Sequence, residues 1–343
     1  MKYKVAIVGA TGVVGRTALK IINEKSFLDC EFVLYASKKS KGKRFFINKK
    51  KVIVKELTEE IFNQKLDFAL FCTSEKISKK YVVKLSKQNV TVIDFSAEYR
   101  KKYPLIVPEI NACDIKDEKI ICNPNCSTIA SVMALYKIKE QFGLKRIIYS
   151  SYQAVSGAGM YALKDLKVNK QSKLKKLNYI IKDNLIPCIG EIYKNLYSKE
   201  ENKMIYETRK ILNNNSLKIT ATCVRVPITI CHSISINFET QKRASLKKIK
   251  QVLLNTKGVK VIDTPTKYPM PIIVKGKDDV YVGRIRKDYS NKNSFNIFVV
   301  SDNLKKGAAQ NGLQILEYLL GRGKWYLKAY VQHLLLLLLI KKE

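Results

Sequence analysis

The chain has 343 residues, enough for two domains of ordinary size, and its 46% hydrophobic and 27% charged residues exclude both a disordered chain and a polytopic membrane protein. A net charge of +35 comes from 64 Lys and Arg against 29 Asp and Glu, but 54 of the basic residues are lysines strewn along the whole length, which argues against a specific nucleic-acid interface. Eight cysteines at irregular spacing, with no Cys-x-x-Cys pair and no neighbouring histidine, exclude a zinc site and a disulfide framework, so no metal and a reducing, cytoplasmic compartment are expected.

The opening segment alternates as α/β proteins do. Residues 5–8 read as a buried parallel strand, 9–15 as a glycine turn, and 16–23 as a helix whose apolar face is Ala18, Leu19, Ile21 and Ile22. A second strand follows at 31–35, a polar loop at 37–43, a third buried run at 66–72, a helix at 79–86 and a fourth strand at 90–94. This is the pattern of a Rossmann-type doubly wound parallel sheet. Asn123-Pro124-Asn125 is turn chemistry that stops a strand, and 126–142 is helical, with Ile129, Val132, Met133 and Tyr136 on one stripe.

Beyond that helix the character changes. Residues 146–149, 217–225, 229–239, 279–286 and 296–300 carry the β-branched and aromatic residues of a sheet, and 164–200 is lysine-rich and irregular. A second, α+β domain is expected from residue 126 to 305, with 1–125 as the nucleotide domain and 306–343 returning as a helix to complete it. The leucine-rich run 334–340 would extend about 10 Å as a helix, far short of a ~30 Å bilayer core, so it reads as a docked or dimer-packed helix. No signal peptide or membrane span is expected.

Gly9, Gly12 and Gly15, with Thr11, Val13 and Val14 between them, form a Gly-x-x-Gly-x-x-Gly turn between the first strand and its helix. Such a turn lets the backbone approach a pyrophosphate at a helix N-terminus. The second strand ends in Ala36-Ser37-Lys38-Lys39-Ser40, hydroxyls and ammonium groups without the carboxylate that takes a ribose hydroxyl. That favours the 2′-phosphate of NADP(H), with a merely solvated lysine loop as the alternative.

Cys126 sits where the Asn-Pro-Asn turn meets a helix. Free amides and the helix dipole there would stabilise a thiolate, and the same amides, with Asn125, could receive an oxyanion. A thiol nucleophile that trades protons wants an imidazole, and the sequence holds only His232 and His333. His232 lies on the strand face of Ile230, Ile234, Ile236 and Phe238 and is the expected partner; a core histidine satisfied by a neighbour is the other reading.

The glycine turn, Asn123-Pro-Asn-Cys126-Ser-Thr-Ile129, Gln153-Ala-Val-Ser-Gly-Ala-Gly159, Arg225-Val-Pro227 with His232-Ser233, and Val282-Gly-Arg-Ile-Arg-Lys-Asp288 together resemble the aspartate-β-semialdehyde dehydrogenase family. The resemblance runs from about residue 3 to about residue 320, in the family's order. It implies an NADPH-dependent reduction of β-aspartyl phosphate to aspartate β-semialdehyde and phosphate through a Cys126 acyl-thioester, in the pathway to lysine, methionine and threonine. His232 would be the acid/base and Gln153 the residue that orients substrate at the sulfur. Arg225 would hold the substrate carboxylate, Glu200 its ammonium, and Lys203 and Arg100 its phosphate. Ser37, Lys39 and Ser40 would meet the 2′-phosphate, and Ser156, Gly157 and Asn303 the rest of the cofactor. A homodimer is implied, with a tetramer as the alternative.

The sequence departs from the family in placing Cys231, not glycine or alanine, before His232, in the poor match over 161–200, and in its leucine tail. Two rival enzymes remain open, an N-acetylglutamyl-phosphate reductase and an acyl-CoA reductase, as does a non-catalytic basic dinucleotide-binding protein. Asn125 and Ser127 beside the cysteine, and Glu200 for a free ammonium, count against the first.

Overall fold

The computed structural model describes residues 2–321 except 26 and 28. Its first part runs β1 (Tyr3–Val8), α1 (Val13–Lys25), β2 (Cys30–Ala36), β3 (Arg44–Ile47), β4 (Lys50–Ile53), β5 (Lys55–Glu56), β6 (Phe68–Phe71), α2 (Glu75–Ser86), β7 (Thr91–Asp94), the single turn α3 (Pro108–Asn111) and β8 (Ile120–Cys122). Strands β5, β2, β1, β6, β7 and β8 lie in that order in one sheet, every neighbour parallel. A parallel sheet needs both faces covered, which is why its strands are continuous apolar runs. Val5 and Ile7 pack with Ala18, Leu19, Ile21 and Ile22 of α1, whereas Ala6 and Val8 pack on the other face with Tyr81, Val82 and Leu85 of α2.

The second part comprises α4 (Cys126–Phe142), β9 (Arg146–Gln153), α5 (Met160–Asp165), α6 (Lys199–Ile211), β10 (Lys218–Arg225), β11 (His232–Glu239), α7 (Leu246–Leu254), β12 (Val259–Val261), α8 (Pro271–Val274), β13 (Val280–Lys287) and β14 (Ser294–Ser301). Its sheet has the order β10-β9-β11-β14-β13-β12, antiparallel in the middle and parallel at both outer pairs. One face carries α4, α6 and α7 over a core that includes Ile129, Met133, Met204, Ile236 and Phe238, the last stacked on Phe295 at 5.7 Å. The opposite face bears a cavity of about 800 Å³ among Tyr152, Tyr268, Met270 and Phe298. The chain then returns to the first sheet. A π turn at Lys305–Ala309 leads into α9 (Gln310–Leu319), whose Leu313, Ile315 and Leu316 join the core of β1 and α1.

Three expectations change. The strand expected from 229 begins only at His232, because Cys231 has φ +80 and breaks the extended backbone, so Ile230 does not share the strand face with His232. The polar loop after β2 continues into the β3–β4 hairpin, turned by Asn48 and Lys49 at φ 48 and 65 without a glycine. The helix expected from 306 starts as the π turn, which seats the Lys306 ammonium between Glu109, Asn311 and Gln314 at 2.6, 3.1 and 2.7 Å. The readings of 322–343, including the leucine run and His333, lie outside the described residues.

Candidate active site

Asn125 ends the turn in extended geometry, and its Oδ1 accepts the amides of Ser127 and Thr128 at 2.9 and 3.2 Å, which starts α4 one residue later at Cys126. Its own N–H donates to Glu207 Oε2 at 2.7 Å. Of the four amides that a helix start leaves open, only that of Cys126 then has no protein acceptor among the described residues. It is the amide available to a developing oxyanion. The Asn125 side chain expected beside it donates one Nδ2 hydrogen to Glu200 Oε1 at 2.7 Å, so Asn125 positions both the helix and Glu200.

Cys126 Sγ lies 3.0 Å from His232 Nε2, across 106 residues of sequence. The first residue of β11 thus meets the first residue of α4. Burial pushes the Cys126 thiol up to about 12, with the Glu200 carboxylate adding to it, while Arg225, Arg100 and Lys203 pull it back. Burial also drives His232 down to about 3, helped by the Arg225 charge and opposed by Glu200. Both shifts have removal from water as their first cause, and both oppose the charged forms of the pair.

Charged groups ring the sulfur. Arg225, at the end of β10, is 6% exposed and donates through Nη1 to the Ala154 carbonyl at 2.7 Å. Burial alone would raise Glu200, but Lys203, the Asn125 amide and Arg225 outweigh it and hold the carboxylate at about 2. Lys203 sits one helical turn on, 3.3 Å from Glu200. Arg100, expected at the phosphate, pairs through Nη1 with Glu207 at 2.8 Å and donates through Nη2 to the Phe95 carbonyl at 2.8 Å; its Nε is buried without a partner among the described residues, and its charge lowers the Cys126 thiol. Gln153 is buried at the end of β9, and its amide donates to Ser151 Oγ at 3.3 Å, with no hydrogen bond to Cys126.

Gly157 closes over this group: a Cβ there would stand 3.3 Å from Arg225 Nη1 and 3.4 Å from the His232 ring. Gly307, in the π turn, meets Cys126 from another side, where a Cβ would lie 3.1 Å from Cys126 Cβ. Ser156 and Asn303, expected at the cofactor, are both buried and bond to each other at 2.9 Å, and Asn303 also accepts the Cys231 amide at 2.9 Å. They brace the loop beneath His232.

At the nucleotide end, Gly9 has φ +87 and a Cβ on it would run into the Cys72 carbonyl, whereas over Gly12 only the Gly9 oxygen stands near, at 3.3 Å. The first-turn amides of Val13, Val14 and Gly15 have no protein acceptor among the described residues. That backbone fits a pyrophosphate. Ser37 and Lys39 are exposed at the end of β2, while Ser40 is buried and accepts from Thr11 Oγ1 at 3.1 Å, which ties the two loops together. The sequence reading missed one carboxylate here. Glu56 of β5 pairs in register with Ala36, and Lys41 lies 3.9 Å from it. All eight cysteines are free, and no group of three His, Cys, Asp or Glu among the described residues could hold a metal ion.

Comparisons with known proteins give the family of this chain. Residues 4–118 match the semialdehyde dehydrogenase NAD-binding domain and residues 135–306 the semialdehyde dehydrogenase dimerisation domain. The chain is 46% identical over 338 residues to the aspartate-semialdehyde dehydrogenase of Aquifex aeolicus, covering 94% of this chain and 99% of that protein. It is 41% identical to that of Bacillus subtilis, covering 92% and 96%. The crystal structure of aspartate semialdehyde dehydrogenase II from Vibrio cholerae complexed with ASA superposes with a TM-score of 0.88 at 36% identity, covering 94% of this chain and 99% of that one.

Proposed function

Because this chain belongs to the aspartate-semialdehyde dehydrogenase family, we propose that it reduces β-aspartyl phosphate to aspartate β-semialdehyde and phosphate, with Cys126 as nucleophile and residues 126–305 forming the catalytic domain. It is an oxidoreductase with a dinucleotide-binding domain and a dimerisation domain. The observation that carries the site assignment is the 3.0 Å approach of Cys126 Sγ to His232 inside a ring of Arg225, Glu200 and Lys203.

Each residue has a physical task. Arg225 offers a planar fork to the substrate α-carboxylate. Glu200, kept ionised, takes the ammonium, a partner that an acetylated substrate lacks. Lys203 meets the phosphate, and the buried Arg100 charge supports it from behind. Substrate binding also changes the sulfur: an ammonium at Glu200 cancels the charge that raises the Cys126 thiol. The thiolate attacks the acyl carbon, phosphate leaves, and an acyl-thioester forms on Cys126 while the Cys126 amide and His232 face the carbonyl oxygen. NADPH, bound at the glycine turn, supplies the hydride that reduces this thioester. Gly157 and Gly307 leave the space that the reacting group needs.

Lys39, with Ser37 beside it, supports NADP, because Lys41 offsets the nearby Glu56 and leaves Lys39 for the 2′-phosphate. The open face of the second sheet, with its apolar cavity, is where a second copy would sit in a homodimer, and eight free thiols support a cytoplasmic location. No helix among the described residues is long and apolar enough to cross a membrane.

The test is the reverse reaction, which requires aldehyde, NADP and phosphate together. Cys126→Ser is expected to lower turnover by orders of magnitude and leave NADPH binding nearly unchanged. Unaltered turnover in that variant, or equal activity with acetylglutamyl phosphate or malonyl-CoA, refutes the reading.

A further inference from the structure

Glu201 follows Glu200 on α6 but meets different partners, two backbone donors at once. Its Oε2 accepts the Ser198 N–H at 2.6 Å while its own N–H donates to Ser198 Oγ at 3.3 Å, the reciprocal pair that starts α6. Its Oε1 accepts the Cys223 N–H of β10 at 3.0 Å, two residues before Arg225. We propose that Glu201 is a positioning residue for substrate recognition: by clasping the start of α6 to the end of β10 it sets the span between Glu200 and Arg225, and so selects an acyl group that carries an ammonium and a carboxylate on one carbon. This deepens the assignment of Glu200 to the ammonium and Arg225 to the carboxylate and rests on it.

Strand β10 lies at the edge of its sheet, bonded to β9 on one side only. On the open side the Arg225 N–H donates to the Ile186 carbonyl at 2.8 Å and the Ile186 N–H returns to the Arg225 carbonyl at 3.0 Å, so the Arg225 backbone is held without Glu201. The Arg225 side chain is fixed separately, by its bond to the Ala154 carbonyl. What the clasp adds is the distance of α6 from that strand. Asn125 holds Glu200 from the side of α4, and Glu201 holds the same helix turn from the side of β10. Only a carboxylate does both jobs of Glu201. It has two accepting oxygens and no hydrogen, so each N–H receives its own acceptor; a carboxamide would turn its NH₂ toward one of them and oppose two donors at a residue only 8% exposed. Both oxygens are taken by backbone, so Glu201 acts through its neighbours. The distance it sets bears on rate, because misplacing a substrate-holding group by about 1 Å can cost about 10²-fold.

The test compares two aldehydes with the full-length protein, in the direction that uses NADP and phosphate: aspartate β-semialdehyde, and succinate semialdehyde, the same carbon chain without the ammonium. In Glu201→Gln, kcat/KM for aspartate β-semialdehyde should fall roughly tenfold or more and that for succinate semialdehyde by less than about threefold, because only the first needs Glu200 and Arg225 together. Glu201→Asp keeps both acceptors but is one methylene short, and should show the same selective loss in milder form. Ser198→Ala weakens the helix start without touching the clasp and should leave the ratio between the two aldehydes unchanged. Adding Glu201→Gln to Glu200→Gln should cost less than about threefold further, since the carboxylate that the clasp places is already gone. Equal losses on both aldehydes, a ratio that Ser198→Ala shifts just as far, or a full additional loss in the double variant overturns the proposal and leaves the reaction standing. A parent enzyme that fails to turn over aspartate β-semialdehyde with NADP and phosphate refutes the reaction itself.

Discussion

Arg100 and Glu207 form an ion pair at 2.8 Å in which Glu207 is fully buried and Arg100 nearly so, and Glu207 Oε2 at the same time accepts the Asn125 amide that begins the nucleophile's helix. One carboxylate therefore neutralises a cation near the sulfur and fixes the start of α4. Glu207→Gln keeps the size and one acceptor but strands the Arg100 charge. Removing one partner of a buried pair costs about 3–5 kcal/mol, whereas an exposed pair costs about 0–1. Urea unfolding should show a loss in the higher range; a loss in the lower range would mean that the pair is not buried as described.

Arg225 holds the Ala154 carbonyl with one arm of its guanidinium. Arg225→Lys keeps a positive charge and loses the fork. Steady-state kinetics should show KM for the acyl phosphate rising roughly tenfold or more, with a smaller change in kcat. An unaltered KM would contradict the carboxylate-binding role.

Cys231 adopts φ +80 directly before His232, a conformation that suits glycine and is worst for a β-branched side chain. This explains in physical terms why a small residue is wanted there. Thermal melts should rank Cys231→Val below Cys231→Gly by about 1–2 kcal/mol. The reverse order would show that packing against Val274 and Val300, not the backbone, governs the position.

Acid stability carries a signature of the same site. His232 is held neutral at a value near 3 against an ordinary 6.5, so the unfolded chain binds a proton in that window and the folded chain does not. Its contribution is complete above about pH 6.5 and is lost as pH falls toward about 3, at about 1.4 kcal/mol per unit for one proton. Glu200, held at about 2 against an ordinary 4.5, adds a second loss only below about 4.5. Denaturant titrations should therefore show stability falling from about pH 6.5 in the parent and only from about pH 4.5 in His232→Gln. Identical profiles would mean that the ring is solvated.

What the sequence made legible was chemistry written locally. The glycine turn, the Asn-Pro-Asn stop and the Cys126 helix start each occupy a few adjacent residues, and the scarcity of histidine pointed to His232. What stayed hidden was chemistry assembled at long range. Glu207 reaches Asn125 across 82 positions and looks in sequence like any acidic helix residue. The Ala154 N–H that donates to His232 Nδ1 at 3.0 Å leaves no trace, because its side chain has no part in the bond. Asn125, Arg100, Ser156 and Asn303 were expected to face ligands, and the structure gives each a protein partner that the sequence does not show, since residue type tells what a group can bind and not which neighbour it meets. The β3–β4 hairpin escaped because Asn48 and Lys49 turn it without glycine.

The return of the chain into α9 bears on how the protein is made. Leu313, Ile315 and Leu316 fill the apolar core around β1 and α1, some three hundred positions after those strands are synthesised. A nascent chain leaving the ribosome must hold its first half unsealed, with that face wet, until α9 has been read. Translation that stops before α9 would release a polypeptide with Cys126 and His232 present and its nucleotide half gaping, a ready client for chaperones and proteases.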